Sequence, residues 1–188
     1  MDPYFLSADF VSEIRSSLDR KGIANEVFSD LQPDPTDENV RAGTERFRAI
    51  GADSILAIGG GSALDVAKMI GVVSTNAGPL SGFQGYHRIP NPGPPLVAMP
   101  TTAGTGSEAT KVAVITDTER NVKMMILDAK LMPAAAIVDL FVELRHQYLI
   151  SFEPGEREGW HPLEIRARKN DLIVRARSGY MAGRPRPS

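Results

Sequence analysis

The 188-residue sequence has no cysteine and only three histidines, and each scarcity removes a class of chemistry. Without cysteine there is no disulfide, no thiolate zinc site and no Cys nucleophile, a composition that fits a reducing compartment and predicts a cytoplasmic protein. No stretch approaches the roughly 18 consecutive apolar residues of a membrane span. Met1-Asp2-Pro3-Tyr4 is not the basic region that precedes the apolar core of a secretory signal. Neither Gly-Lys-Ser nor Gly-Lys-Thr occurs, so Lys68 is not the lysine of a P-loop. With 42% hydrophobic residues the chain has the apolar material for a core, and its length suits one domain with an appendage.

Charge is unevenly spread. Residues 1–140 carry 12 Lys and Arg against 17 Asp and Glu, whereas residues 141–188 carry 9 against 6. A basic arm can mark nucleic-acid binding. Here the positive charge is diluted by Glu153, Glu156, Glu158 and Glu164, and the aromatics are not interleaved as stacking platforms. The chain is therefore read as binding neither nucleic acid nor membrane.

What is present is most concentrated in Ile55-Leu56-Ala57-Ile58-Gly59-Gly60-Gly61-Ser62-Ala63-Leu64-Asp65-Val66-Ala67-Lys68, an apolar strand that breaks into three glycines and restarts as a helix. Glycines let backbone approach an anion, and a helix starting at Ser62 aims unpaired N–H groups and the positive end of its dipole at the same point. Ser62 and Asp65 also have the spacing of a helix N-cap with an acidic residue at the third position. By themselves these residues describe either a phosphate cradle or a well-capped helix.

Around that run the periodicity alternates. A helix is predicted over Ser7–Lys21, with Phe10, Val11, Ile14 and Leu18 at helical spacing and Gly22 past its end. A strand is expected at Ala24–Phe28, and Thr36 or Asp37 caps a helix running to Ile50. Ser54–Ile58 reads as a strand buried on both faces and Ala63–Val73 as the helix after the glycines. Residues 76–95, rich in Gly, Pro and Asn, read as a loop excursion over the ligand cleft. Leu96–Met99 is a further strand, opening into Thr101-Thr102-Ala103-Gly104-Thr105-Gly106-Ser107-Glu108, whose hydroxyls and bare amides suit ribose and pyrophosphate. Lys111–Asp117 and Val122–Leu127 form a hairpin through Thr118-Glu119-Arg120-Asn121, and Ala135–Val138 is a last strand. The order predicts an α/β fold with a doubly wound, Rossmann-like parallel sheet.

These motifs carry a resemblance. Pro33-Asp34-Pro35-Thr36-Asp37-Glu38-Asn39-Val40, Gly51-Ala52-Asp53, the glycine run to Lys68, Pro95 through Glu108, and Ile115-Thr116-Asp117 together resemble the dinucleotide-binding domain of the iron-containing (group III) alcohol dehydrogenases. The resemblance covers roughly Phe28 to Leu140. It implies NAD or NADP as cofactor and hydride transfer with a small alcohol or aldehyde. It further implies that Gly60, Gly61 and Ser62 line the pyrophosphate and that Asp65 approaches the nicotinamide side. Thr101, Thr102 and Thr105 would surround adenine, ribose and phosphates, Lys123 would contact the nicotinamide ribose, and Leu140 would lie beside the cofactor.

Two expectations concern what the family has and this sequence does not show. The family's all-helical domain, whose Asp and three His hold Fe²⁺ or Zn²⁺, is not recognisable, and neither is its Gly-x-Asp-Ala-x-Thr-His-Ala helix. His87 lies in the Pro/Gly loop, and His146 and His161 have no carboxylate at helical spacing, so none is read as a metal ligand. The domains are accordingly read as a partial dinucleotide-binding domain over 1–140, incomplete at its N-terminus, and a divergent basic tail over 141–188, disordered or carried by a shifted reading frame. Two functional readings follow: a metal-dependent alcohol dehydrogenase inactive as this partial chain, and a stand-alone nucleotide-binding module without catalysis. An exposed sheet edge would favour homo-oligomers.

Overall fold

Phe10, Val11, Ile14 and Leu18 do form one stripe, on α1 (Asp9–Arg20). The helix stops in a Schellman turn: Gly22 N–H donates to Asp19 O at 2.9 Å and Ile23 N–H to Leu18 O at 3.0 Å, with Gly22 at φ 71°. The computed structural model describes residues 1–102, 104–137, 159–162 and 179–182. Residues 1–147 and 148–188 form two separate compact units.

The second helix, α2 (Asp37–Ala49), begins at Thr36 through a capping box. Thr36 Oγ1 accepts from Asn39 N–H, and Asn39 Oδ1 accepts from Thr36 N–H. β1 (Ile55–Gly59) leads into α3 (Gly61–Thr75); β2 (Gly85–Tyr86), β3 (Leu96–Pro100), β4 (Val112–Asp117), β5 (Val122–Leu127) and β6 (Ala135–Ala136) follow. β1, β3 and β6 make a parallel sheet in which Ala57 faces Ala98 and Val97 faces Ala135. β4 and β5 pair as the predicted antiparallel hairpin, with Asn121 at φ 52° in its turn, and β2 adds to β5.

α3 lies between these two sheets, which explains a helix apolar nearly all round. Leu64 and Ala67 pack with Ala57, Leu96 and Ala98 of the parallel sheet. Val66, Met69, Ile70 and Val72 pack with Ala113, Ile115, Met124 and Ile126 of the hairpin. This is the α/β architecture the sequence predicts, and it places the N-terminus of α3 beside the C-terminal ends of β1 and β3.

Three local expectations differ from the structure. Ala24–Phe28 is not a strand. The Met1 amine donates to Phe28 O at 2.6 Å and Asp2 N–H to Ile58 O at 3.0 Å, so the N-terminal residues bond to both the segment and β1. A cavity of about 270 Å³ is lined by the segment with α1, α2, α3 and β1, and a strand without a ladder has no partner for its amides. The loop 76–95 does not cover the N-terminus of α3. It is bound to the other end of that helix, where Asn76 Nδ2 donates to Asn91 O and Asn91 N–H donates to Asn76 Oδ1, both at 2.8 Å. The last parallel strand is limited to Ala135–Ala136, and Val138 lies outside the described residues. In the 148–188 unit, β7 (Gly159–Pro162) pairs antiparallel with β8 (Gly179–Ala182).

The loop's close packing gives a first prediction. A Cβ on Gly93 would stand 2.7 Å from the carbonyl carbon of Gly71 and 2.9 Å from its oxygen, backbone atoms that cannot swing aside. Gly93→Ala is therefore expected to cost about 1–3 kcal/mol, read as a lower urea midpoint at unchanged m-value.

Candidate functional site

The glycine turn is shaped residue by residue. Gly59, at φ 147°, bends the chain out of β1, and a Cβ there would stand 2.7 Å from Ala63 Cβ. Gly60 is the N-cap of α3 and Gly61 its first residue, so the helix starts earlier than predicted and Ser62 is not its cap. The Ser62 hydroxyl instead donates to Pro33 O at 2.6 Å, tying the turn to the Pro33–Thr36 segment. Gly60 has no side chain to cap the first amides, so the helix N-terminus keeps the unpaired donors an anion needs.

The threonine loop lies against this turn. Thr101 N–H donates to Gly59 O at 3.0 Å, continuing the parallel ladder past its last residues. A Cβ on Gly60 would stand 3.2 Å from Thr102 Oγ1, and one on Gly61 would stand 3.2 Å from Thr105 Cβ. The structure thus brings Gly60, Gly61, Thr101, Thr102 and Thr105 together. Thr101 Oγ1 is buried with no hydrogen-bond partner among the described residues, an unsatisfied group of the kind a ligand satisfies.

Asp65 is turned inward. Its Oδ1 accepts from the Ser107 hydroxyl at 2.6 Å and its Oδ2 from Val114 N–H at 3.0 Å. Burial pushes its carboxyl above the usual carboxylate range, opposed by the Ser107 and Val114 hydrogen bonds and by Lys68. Lys68, 3% exposed, donates to Thr110 O at 2.9 Å, Val112 O at 2.8 Å and Ser107 Oγ at 3.2 Å, and its Nζ lies 3.9 Å from Asp65 Oδ1. Burial pulls its ammonium below the ordinary lysine range, opposed by Asp65 and Glu108. These contacts clasp α3 to the threonine loop and β4.

Sequence reasoning excluded Lys68 from a P-loop role but missed this one, and it missed the part Ser107 plays. The signal was there: a charge inside the apolar run Val66-Ala67-Lys68-Met69-Ile70 must be paired to be buried.

Lys123 projects from β5 to the Pro33–Thr36 segment that Ser62 holds, its Nζ 2.7 Å from Asp34 Oδ1. Both side chains are largely exposed, at 65% and 75%, so the pair is worth little and leaves Lys123 able to turn toward a ligand. Leu140 lies outside the described residues. Among the described residues no group of three or more His, Asp or Glu is placed to hold a metal ion.

Two carboxylates beside this frame set an acid limit. Arg120 donates its backbone N–H at 2.9 Å and its Nε–H at 2.7 Å to Asp117, and the first of these chiefly holds that carboxyl below its usual range. Burial would raise Asp128, but donation from the N–H groups of Lys130 and Ile89 and the Lys130 charge outweigh it and leave its pKa lowered. Depressed carboxyl pKa values contribute stability that is complete above the unfolded value, about pH 3.9, and is lost as pH falls through the folded one. Asp65, shifted upward, works in the opposite direction. Asp128→Asn should therefore flatten the fall in urea midpoint below about pH 4, and an unchanged acid limb would remove Asp128 from this account.

Comparison with known proteins agrees with this geometry. The sequence model of the iron-containing alcohol dehydrogenases matches residues 1–140. The NAD-dependent methanol dehydrogenase of Bacillus methanolicus is 42% identical over 138 residues, which are 73% of this chain and 36% of that protein. The 1,3-propanediol dehydrogenase of Citrobacter freundii is 41% identical over 129 residues, 69% of this chain and 33% of that one. The crystal structure of a 1,3-propanediol oxidoreductase superposes with a TM-score of 0.72 at 38% identity, covering 75% of this chain and 37% of its own. A sulfoacetaldehyde reductase from Bifidobacterium kashiwanohense, solved in complex with NAD⁺, gives 0.69 at 32%, again covering 75% and 37%. The chain spans about a third of the length of the relatives it matches.

Proposed function

Because the chain belongs to the iron-containing alcohol dehydrogenase family, we propose that residues 1–140 bind NAD or NADP in the cleft between the glycine turn and the threonine loop. The observation that carries this is the approach of Thr102 and Thr105 to Gly60 and Gly61, so close that a Cβ on either glycine would touch a threonine. A side chain on either glycine would push the threonine loop away, and the uncapped start of α3 supplies donors for a pyrophosphate.

In this reading the N–H groups of Gly60, Gly61 and Ser62 hold the pyrophosphate. Thr101, Thr102 and Thr105 offer hydroxyls to ribose and phosphate, and the partnerless Thr101 Oγ1 gains an acceptor or donor. Lys123 leaves Asp34 for the nicotinamide ribose. Asp65 anchors the loop through Ser107 and Val114, and each of its oxygens can accept a further bond on the nicotinamide side. Bound there, NAD or NADP would supply hydride transfer between a small alcohol and its aldehyde. The family's Fe²⁺ or Zn²⁺ does not fit any group of side chains among the described residues, so those residues account for binding and orientation of the cofactor alone.

A second reading, a nucleotide-binding module without turnover, has the same cleft as its site and is separated by assay. Metal-dependent NADH formation from NAD⁺ and short-chain alcohols refutes it. Ligand-induced melting shifts test the proposal itself: at about 100 times Kd a bound dinucleotide adds about 2.7 kcal/mol. NAD⁺ or NADP⁺ should raise Tm, with ADP-ribose following. A folded protein whose Tm ignores all three would overturn the dinucleotide reading. Self-association through an exposed sheet edge is also expected, and a concentration-independent monomer in sedimentation would contradict that.

A further inference from the structure

The threonine loop is held at two points. Its entry is fixed where Thr101 N–H donates to Gly59 O. Its exit is fixed at Ser107, which follows Gly106 at φ 64° and opens a short 3-10 turn over Ser107–Ala109. Thr102 and Thr105, the residues that stand against the glycine turn, lie between those anchors.

The two anchors differ in kind. The first is a backbone bond within a sheet ladder, which any residue except proline could make. The second is a side chain: the Ser107 hydroxyl donates to Asp65 Oδ1 at 2.6 Å and accepts from Lys68 Nζ at 3.2 Å. A hydroxyl is both donor and acceptor, so it can sit between a carboxylate and an ammonium and satisfy both. Ser107 N–H also reaches Thr105 Oγ1 at 3.4 Å, linking the anchor directly to the residue facing Gly61.

Resting on the reading of the cleft as a dinucleotide site, we propose that Ser107 is a positioning residue. Gripped by Asp65 and Lys68, it sets the clearance between threonine loop and glycine turn and so the affinity for the pyrophosphate. Ser107 is buried and touches no ligand in this account; it acts through Thr105 and Thr102. Asp65 thereby gains a second role at the cofactor, through the loop it holds. The packing is tight, with a Cβ on Gly60 or Gly61 standing 3.2 Å from a threonine atom, so a loop released from Ser107 shifts the threonine hydroxyls relative to the glycine amides.

The test is NADH affinity of Ser107→Ala and Ser107→Thr, measured by fluorescence titration well below each variant's Tm, with hydrogen exchange at the amides of residues 104–110. Affinity measured on folded protein is not moved by a loss of global stability alone. Ser107→Ala should weaken NADH and ADP-ribose by about tenfold and speed exchange in that loop, because a misplaced binding group loses much of its contribution. Ser107→Thr, which keeps the hydroxyl, should recover most of the affinity. A parent chain that binds NADH while Ser107→Ala binds it equally overturns this inference alone. A folded parent that binds no NADH overturns the dinucleotide reading and this inference with it.

Discussion

Lys68→Met is expected to lower the unfolding free energy by about 3 kcal/mol, as the loss of one partner from a buried ion pair does. Methionine fills the space of the lysine stem, so the loss is not a cavity effect. What goes is the ammonium that serves Thr110 O, Val112 O and Ser107 Oγ and faces Asp65. Asp65 stays behind, still accepting from Ser107 and Val114 N–H but without its cation. The fall in Tm should be on the order of 10 °C for a domain of this size. Adding Asp65→Asn removes the stranded charge and keeps an acceptor for Ser107, so the double variant should be less destabilised than the sum of the two single ones. A Lys68→Met loss below about 1 kcal/mol would mean the ammonium contributes no more than an exposed ion pair.

Gly61→Val is expected to abolish dinucleotide binding, weakening NADH by about 100-fold or more, while the fold persists. The first atom added at Gly61 would stand 3.2 Å from both Thr105 Cβ and Cγ2, and valine's further methyls fill the gap or push the loop away. The position itself tolerates a side chain: Gly61 is not at positive φ and opens a helix whose core lies elsewhere. Gly82→Ala is the control, since a Cβ there meets nothing within 4 Å. It should leave NADH affinity unchanged. Equal affinity of parent and Gly61→Val would separate the glycine turn from the ligand.

What could be read from the sequence is what local physics dictates. The Thr36 cap, the α1 stripe with Gly22 behind it, the strand before the glycines and the hairpin across Asn121 are each signalled within a few residues, and each formed. The pairing of glycine turn and threonine loop was legible because both follow apolar strands of one parallel sheet, whose ends gather on the same side. Ala24–Phe28 failed because composition signals strand propensity, while a strand exists only with a partner. Ser62 was placed at the cap by its residue type, yet the three glycines let the helix begin earlier and freed the hydroxyl for Pro33. The clasp of Asp65 and Lys68 on Ser107, Thr110, Val112 and Val114 joins residues 39 to 49 positions apart, beyond any local pattern. Only the oddity of a lysine within an apolar helix pointed to it.

On the proposed reading, glycine turn and threonine loop form one site for the pyrophosphate of a nicotinamide dinucleotide. Isothermal titration of NADH into the chain tests it most directly, repeated with ADP-ribose present as competitor. Saturable binding of one NADH per chain, displaced by ADP-ribose and absent in Gly61→Val, is the expected result. Folded protein by circular dichroism that shows no saturable heat with NADH would contradict it.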